Sequence, residues 1–436
     1  MRLTPLFAGV LTLALVGTAS AQTLTIATVN NGDMIRMQGL SSAFTEETGI
    51  ELNWVVLEEN TLRQNVTTDI ATNGGQYDIM TIGTYEAPIW AGQGWLKPLD
   101  GLTADAEYDV DDLLPPIRGG LSVDGKLYAA PFYGESSFIM YRTDLMEEAG
   151  LTMPEAPTWE FIGEAARAMT DRENDINGIC LRGKAGWGEN TAFLTTMSNS
   201  FGARWFNENW QPQFDSPEWK ETIETYLSLM ADAGPSGASS NGFNENLTLF
   251  QQGKCGMWID ATVAASFVTN PEESMVADKV GFALAPDTGK GKRANWLWSW
   301  ALAIPASSQN ADAAEQFIGW ATDKDYLETV AAEEGWANVP PGTRTSLYEN
   351  PNYQEAAPFA QMTLDSINAA DPTNPTVDPV PYVGVQFVAI PEFAGIGTNV
   401  GQLFSAALAG QMSADDALAQ AQDAVTRDMT RAGYIK

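Results

Sequence analysis

The chain contains no histidine, so the residues able to do chemistry are mainly carboxylates, amides and indoles. The commonest general base and the commonest transition-metal ligand are therefore both missing. Two cysteines, Cys180 and Cys255, cannot build a structural zinc site by themselves. What remains can donate, accept and stack. Glu135 stands where an apolar strand ending at Phe132 meets a second β-rich run, Ser137 to Tyr141, across a short turn over Tyr133 and Gly134. Asp260 closes a strand predicted over Lys254 to Ile259; as an alternative it would cap the helix after Thr262. Between Asn295 and Pro305 strict alternation puts Trp296, Trp298 and Trp300 on one face of an extended segment, either toward a ligand or into a core.

These groups need a scaffold, and the first third of the chain supplies a regular one. A strand over Leu24 to Val29 is followed by an amphipathic helix with Met34, Met37, Leu40 and Phe44 inward, ended by Gly49. A second strand, Ile50 to Leu57, leads to a helix with Leu62, Val66 and Ile70 on one face, and a third strand runs from Tyr77 to Ile82. This alternation predicts right-handed crossovers and a parallel sheet, in which ligands bind beyond the carboxyl ends of the strands. Those ends carry Asn30-Asn31, Glu58-Glu59 and Thr84-Tyr85-Glu86.

The stretch Lys126 to Asp144 reads as a crossing between two lobes, with Pro131 stiff and Gly134 permissive, or as an ordinary hairpin. Beyond it a second α/β pattern begins, with a strand expected at Gly178 to Leu181 and a helix from Ser216-Pro217 to about Ala233. No internal repeat or low-complexity tract interrupts it.

The ends and the charge set the compartment. Arg2, the apolar run Leu6 to Val16 and Ala19-Ser20-Ala21 form a secretory signal peptide over residues 1–21, so the mature chain is expected to be exported. A length of 436 residues allows two or three domain-sized cores. A net charge of -33 and a pI near 4.1 argue against nucleic acid or anionic membrane surfaces as partners. Given export, a disulfide between Cys180 and Cys255 is preferred over two separate buried thiols.

Five motifs in order resemble the extracellular solute-binding proteins of ABC importers that bind sugars and polyols. They are Phe44-Thr45-Glu46-Glu47-Thr48-Gly49-Ile50, Gly75-Gln76-Tyr77-Asp78-Ile79-Met80, Gly94-Trp95-Leu96-Lys97-Pro98-Leu99, Tyr128-Ala129-Ala130-Pro131-Phe132 and Phe250-Gln251-Gln252-Gly253-Lys254. Pro131 to Ser137, Leu181 to Asn190 and Trp258 to Thr262 look most like the sorbitol/mannitol-binding branch. The resemblance implies an α/β, two-lobed periplasmic-binding-protein fold (type II-like) with a ligand cleft between the lobes. It places three interlobe crossings near Phe132 to Ser136, Trp298 to Leu302 and Trp336 to Pro341. The expected N-terminal lobe is 22–133 plus 301–336, and the C-terminal lobe is 134–300 plus 337–436.

Carried over by motif, Asn31, Tyr85, Glu135, Asp260 and Trp300 fall at cleft positions. Trp298 competes with Trp300 as the stacking platform, because Trp298-Ser299 stands where related sugar binders often have a glycine pair. Trp187, Asn190 and Lys184 belong to the branch-like glycine-flanked loop, and Asn338 adds an amide. Carboxylates accept hydroxyl protons, amides give and accept, and an aromatic face covers C–H groups, which suits a linear polyol. The resemblance implies a monomeric periplasmic binder that hands a polyol to permease subunits, without cofactor or metal and without catalysis. A mono- or disaccharide ligand is the alternative, and an exported carbohydrate-active enzyme a more distant one.

Overall fold

The computed structural model describes residues 22–436, and the expected signal peptide lies outside the described residues. Strands β1 (Thr23–Val29), β2 (Glu51–Leu57) and β3 (Ile79–Gly83) are parallel, with Thr23 opposite Glu51 and Ile26 opposite Ile79. The first crossover is two helices, α1 (Gly32–Leu40) and α2 (Ser42–Thr48), because the chain breaks at Ser41 where one helix was expected. Gly49 ends α2 at φ 72°, the left-handed conformation that glycine adopts without strain. The second crossover is α3 (Glu59–Thr72), capped by the Glu58 carboxylate accepting from the Thr61 N–H. Helix α4 (Glu86–Gly92) follows β3.

The chain then enters β4 (Ala129–Glu135) and, after Ser136, β5 (Ser137–Arg142). With β6 (Met257–Ala261), β7 (Val280–Leu284) and β8 (Trp298–Ala303) these complete two sheets. The larger has the order β2-β1-β3-β8-β4, with β8 antiparallel to both its neighbours; the smaller is antiparallel, β6-β5-β7. Each sheet is the centre of one α/β lobe. Because β4 belongs to one sheet and β5 to the other, the backbone between Glu135 and Ser137 joins the lobes and is not a hairpin.

Two expectations change here. Tyr133 and Gly134 are not a turn: they are strand residues paired with Trp300 and Ser299. Gly134 is needed for close backbone approach, since its N–H donates to Pro341 O at 2.8 Å and a Cβ there would lie 2.2 Å from Gly342 O. Trp298 pairs with Glu135, so β8 belongs to the larger sheet from its first residue, three positions before the expected boundary.

Gly178 to Leu181 does not form a strand ladder. It makes isolated parallel bridges, Asn177 with Cys255 and Cys180 with Trp258, and the Cys180–Cys255 disulfide ties it down with Cα atoms 5.9 Å apart. That anchorage fixes where the next residue, Arg182, emerges. Helices α5 (Asn190–Phe201), α6 (Phe243–Gln251), α7 (Ala311–Thr322), α8 (Phe393–Leu408) and α9 (Ala414–Ala432) cover the sheets and lobe flanks. No helix among the described residues is long and apolar enough to cross a membrane.

Candidate functional site

Between the lobes lies a narrow, partly enclosed cavity lined by residues of both sheets' lobes. Of the residues expected in a site, Asn31, Glu135, Trp187, Trp298 and Trp300 line it. Glu59, Arg63, Tyr133, Arg182, Trp296 and Gln386 join them.

On the larger-sheet side, Arg63 projects from α3 with its side chain buried. Its Nε and Nη2 donate to Glu59 Oε1 at 3.0 and 2.9 Å, and its Nη1 donates to Glu86 Oε1 at 2.6 Å. Glu86 is itself tied to the end of β3, accepting the Gly83 N–H at 3.0 Å through Oε2. The guanidinium carbon lies 3.9 Å from the ring centre of Trp187, 4.6 Å from Trp300 and 5.0 Å from Trp298, all inside the range of about 6 Å for a cation–π contact. Asn31, just beyond β1, donates through Nδ2 to the Tyr133 hydroxyl at 3.0 Å.

The smaller-sheet side is built on Arg182. Its Nε and Nη2 donate to the two oxygens of Asp260 at 2.9 and 2.7 Å, and its Nη1 donates to Gly188 O at 2.9 Å and to Glu189 Oε2 at 3.4 Å. Burial opposes its charge, but Asp260 outweighs that and holds the guanidinium above its ordinary pKa. Trp296 lines the cavity with its indole N–H lacking a hydrogen-bond partner.

Glu135 sits at the junction of the lobes. It is only 6% exposed, and it takes part in no ion pair or regular hydrogen bond among the described residues. Burial pushes its carboxyl up to about 8, Arg182 pulls it back, and Asp260 and Glu59 push it further. The Trp296 indole favours the anion without meeting it in regular hydrogen-bond geometry. At neutral pH this carboxyl can therefore donate as well as accept.

Five expected residues do not line the cavity. Tyr85 packs 4.7 Å from Trp187 and donates to Ile390 O at 3.0 Å, which makes it a support behind the indole. Asn190 bonds Gly401 O through Nδ2 at 2.8 Å and accepts the Gly186 N–H at 3.3 Å, so its amide is consumed in shaping the 186–190 turn. Asp260 is fully buried within β6 and shared among Arg182, the Trp258 indole and the Ala261 N–H. It is neither an open acceptor nor a helix cap. Asn338 donates to Glu334 O at 2.7 Å. Lys184 lies at the rim, donating to Glu58 Oε1 at 2.6 Å across the lobes.

A cavity enclosed by two lobes and lined by charges already paired is a place to hold a molecule. Residues 31–328 match the bacterial extracellular solute-binding protein family. The chain belongs to this family. This solute-binding protein is 60% identical over 417 residues, 95% of each chain, to the mannitol-binding protein of Pseudomonas aeruginosa. It superimposes with a TM-score of 0.95 and 72% identity on an ABC transporter solute-binding protein from Agrobacterium vitis crystallised with D-mannitol, covering 95% of this chain and 100% of the other. A solute-binding protein from Agrobacterium radiobacter in complex with ribitol matches with a TM-score of 0.82 and 25% identity, over 93% of this chain and 98% of that one.

Arg63 carries no motif that marks it as a site residue, and Glu59 and Glu86 stand out in the sequence only as acids near the strand ends. Glu59 and Arg63 look like an ordinary i,i+4 pair on a solvated helix face. The available signal was position: Arg63 lies three and seven residues before Val66 and Ile70, on the stripe that the helix buries. A charge there needs partners, and Glu59 and Glu86 are those partners.

Proposed function

We propose that this chain is the periplasmic substrate-binding component of an ABC importer and binds a linear hexitol, such as mannitol or sorbitol, between its lobes. The closed form presents both lobes to the membrane permease. We read it as a monomeric binder, without catalysis or cofactor. We divide its lobes near the expected boundaries, but assign to the first lobe all of β4 and β8 and also the segment through Ser346, because Thr343, Arg344 and Ser346 bond Leu114, Asp109, Thr322 and Asp112.

The observation that carries this reading is the unmet hydrogen-bonding capacity inside the cavity. The Glu135 carboxyl and the Trp296 indole N–H are buried side by side without regular partners. An unsatisfied buried polar group costs about 1–3 kcal/mol, and a hydroxyl that both donates and accepts relieves either. The ligands of related proteins, D-mannitol and ribitol, are acyclic polyols and present little else. Contacts that need both lobes at once, Lys184 to Glu58 and Asn60 Nδ2 to Ala185 O at 3.1 Å, favour the closed form once a ligand fills the gap.

Calorimetric titration with D-mannitol, D-sorbitol, ribitol and D-glucose tests the reading. A hexitol is expected to bind at micromolar Kd or tighter, around -8 kcal/mol. Glu135→Ala and Trp300→Ala, each confirmed as folded by thermal denaturation, are expected to weaken it at least about tenfold. Absence of alditol binding, or conversion of the ligand to product, ends the proposal.

A further inference from the structure

Trp187, Trp298 and Trp300 would ordinarily be assigned to the ligand, because an indole face suits the flat C–H side of a ring sugar. In this cavity those faces are spoken for. Arg63 lies over all three rings, at 3.9, 5.0 and 4.6 Å from their centres. Trp298 also lies hard against the backbone of Gly83, where a Cβ would come within 2.0 Å of the ring. Trp187 has Tyr85 at 4.7 Å and Phe393 at 6.2 Å.

Arg63 is not a side chain that drifts into a vacant cage. Three of its N–H groups are bound by Glu59 and Glu86, and Glu86 is locked to Gly83 at the end of β3. Its position is set by the larger sheet, so the indoles are covered by a preorganised group. A guanidinium has five N–H donors, so two on Arg63 remain for a solute.

We propose that Arg63 is a specificity-determining residue, reserving the cavity for open-chain polyols by occupying the indole faces on which a ring sugar would stack. This deepens the polyol reading above and rests on it. An extended alditol needs no flat platform: its hydroxyls meet the free Arg63 N–H groups and the carboxyls. A pyranose loses its stacking surface and meets a fixed cation instead. Selectivity here is therefore built partly by exclusion.

The test is calorimetry on wild type, Arg63→Lys and Arg63→Met, each against D-mannitol and methyl α-D-glucopyranoside, whose ring cannot open. Wild type is expected to prefer the alditol at least a hundredfold. In both variants that ratio is expected to fall at least tenfold, mannitol weakening while the pyranoside holds or gains. A purely structural role would weaken both ligands alike, so folded variants with an unchanged ratio overturn the inference and leave the polyol reading standing. If neither variant folds, as judged by thermal denaturation, wild type decides: a pyranoside within tenfold of mannitol overturns the inference, and a hundredfold gap supports it. A wild type that binds no alditol overturns the polyol reading and this inference with it.

Discussion

Two arginines face the cavity from opposite lobes with comparable burial and different surroundings. Arg182 has a bidentate partner in Asp260 on β6, with Glu189 and a backbone carbonyl taking further donors. Arg63 is divided between Glu59 on its own helix and Glu86 on the next, and its flat face is given to tryptophans. Arg182 also lines the cavity but lies farther from its aromatic neighbours, 5.4 Å from Phe243 and 5.5 Å from Trp296, and is anchored to Asp260 within the smaller lobe. Arg63 belongs to the cavity wall, where its charge, free donors and stacked face all bear on what enters. On the proposal above, the difference is one of dependence: the smaller lobe's pair serves the fold, the larger lobe's pair serves discrimination.

Removing the acid from each pair exposes that difference most strongly. Asp260→Ala leaves Arg182 buried with only the 3.4 Å contact to Glu189 among its former side-chain acceptors. Breaking a buried pair from one side costs about 3–5 kcal/mol, and urea denaturation is expected to show a loss of that size. Glu86→Gln keeps an acceptor for Arg63 and leaves both Glu59 bonds, so about 1–3 kcal/mol is expected. Equal losses, or a larger one at Glu86, would remove the proposed asymmetry.

Glu135 belongs to neither pair, and pH separates it from both. Its carboxyl titrates near 4.5 in the unfolded chain and is raised to about 8 in the folded one, chiefly by burial. Between these values the folded state holds the proton that the unfolded state has released, so stability falls as pH rises through the window. One such group contributes a slope of at most about 1.4 kcal/mol per pH unit. Asp33, raised from 3.8 to about 6 by burial, adds to the acid end of the same trend. The chain is expected to be more stable near pH 5 than near pH 8, and Glu135→Gln to flatten the slope above pH 6. A variant whose pH profile matches wild type would show that Glu135 is not the titrating group.

The parts legible in the sequence and the parts that were not divide along similar lines. Strands β1 to β3 and their crossovers were readable because alternating periodicities of two and three to four are local properties. So was the indole stripe: Trp296, Trp298 and Trp300 all line the cavity, as alternation along one extended segment requires. Tyr133-Gly134 was misread because glycine near proline signals a turn, whereas Gly134 is there for the approach of Gly342, more than two hundred residues away. Pro131 is tolerated within β4 beside a register shift between Trp300 and Ala301. Asp260 and Asn190 were expected at the cavity by motif and do not line it, because which way their polar atoms are spent depends on Arg182 and Gly401, partners no local pattern names.

The rim of the cavity offers the next test. Gly188 lies against the first turn of α3, where a Cβ would sit 2.2 Å from Glu59 Oε1 and 2.9 Å from Arg63 Nε. Gly188→Ala therefore presses on the pinned side chains of the larger lobe, at an overpacking cost of about 1–3 kcal/mol. Because those contacts exist only between the lobes, the cost is expected in ligand affinity, at roughly tenfold, and not in the unfolding midpoint of the ligand-free protein. A lower midpoint with unchanged affinity would place Gly188 in the fold of one lobe.

The Lys184–Glu58 pair spans the same seam with a partly exposed geometry, 25% and 43% for the two side chains. Burial opposes the charge on each, yet their contact raises the lysine pKa and lowers the glutamate's, so both stay ionised at neutral pH. Solvent-exposed pairs contribute about 0–1 kcal/mol, so Lys184→Ala is expected to weaken ligand binding by no more than about fivefold at low salt. At about 1 M salt, where the screening length falls to roughly 3 Å, wild type and variant should converge. The pair pulls the lobes together where Gly188 only permits them to meet. A tenfold loss that survives high salt would mean that Lys184 reaches the ligand itself, and would move it from the rim into the wall beside Arg63.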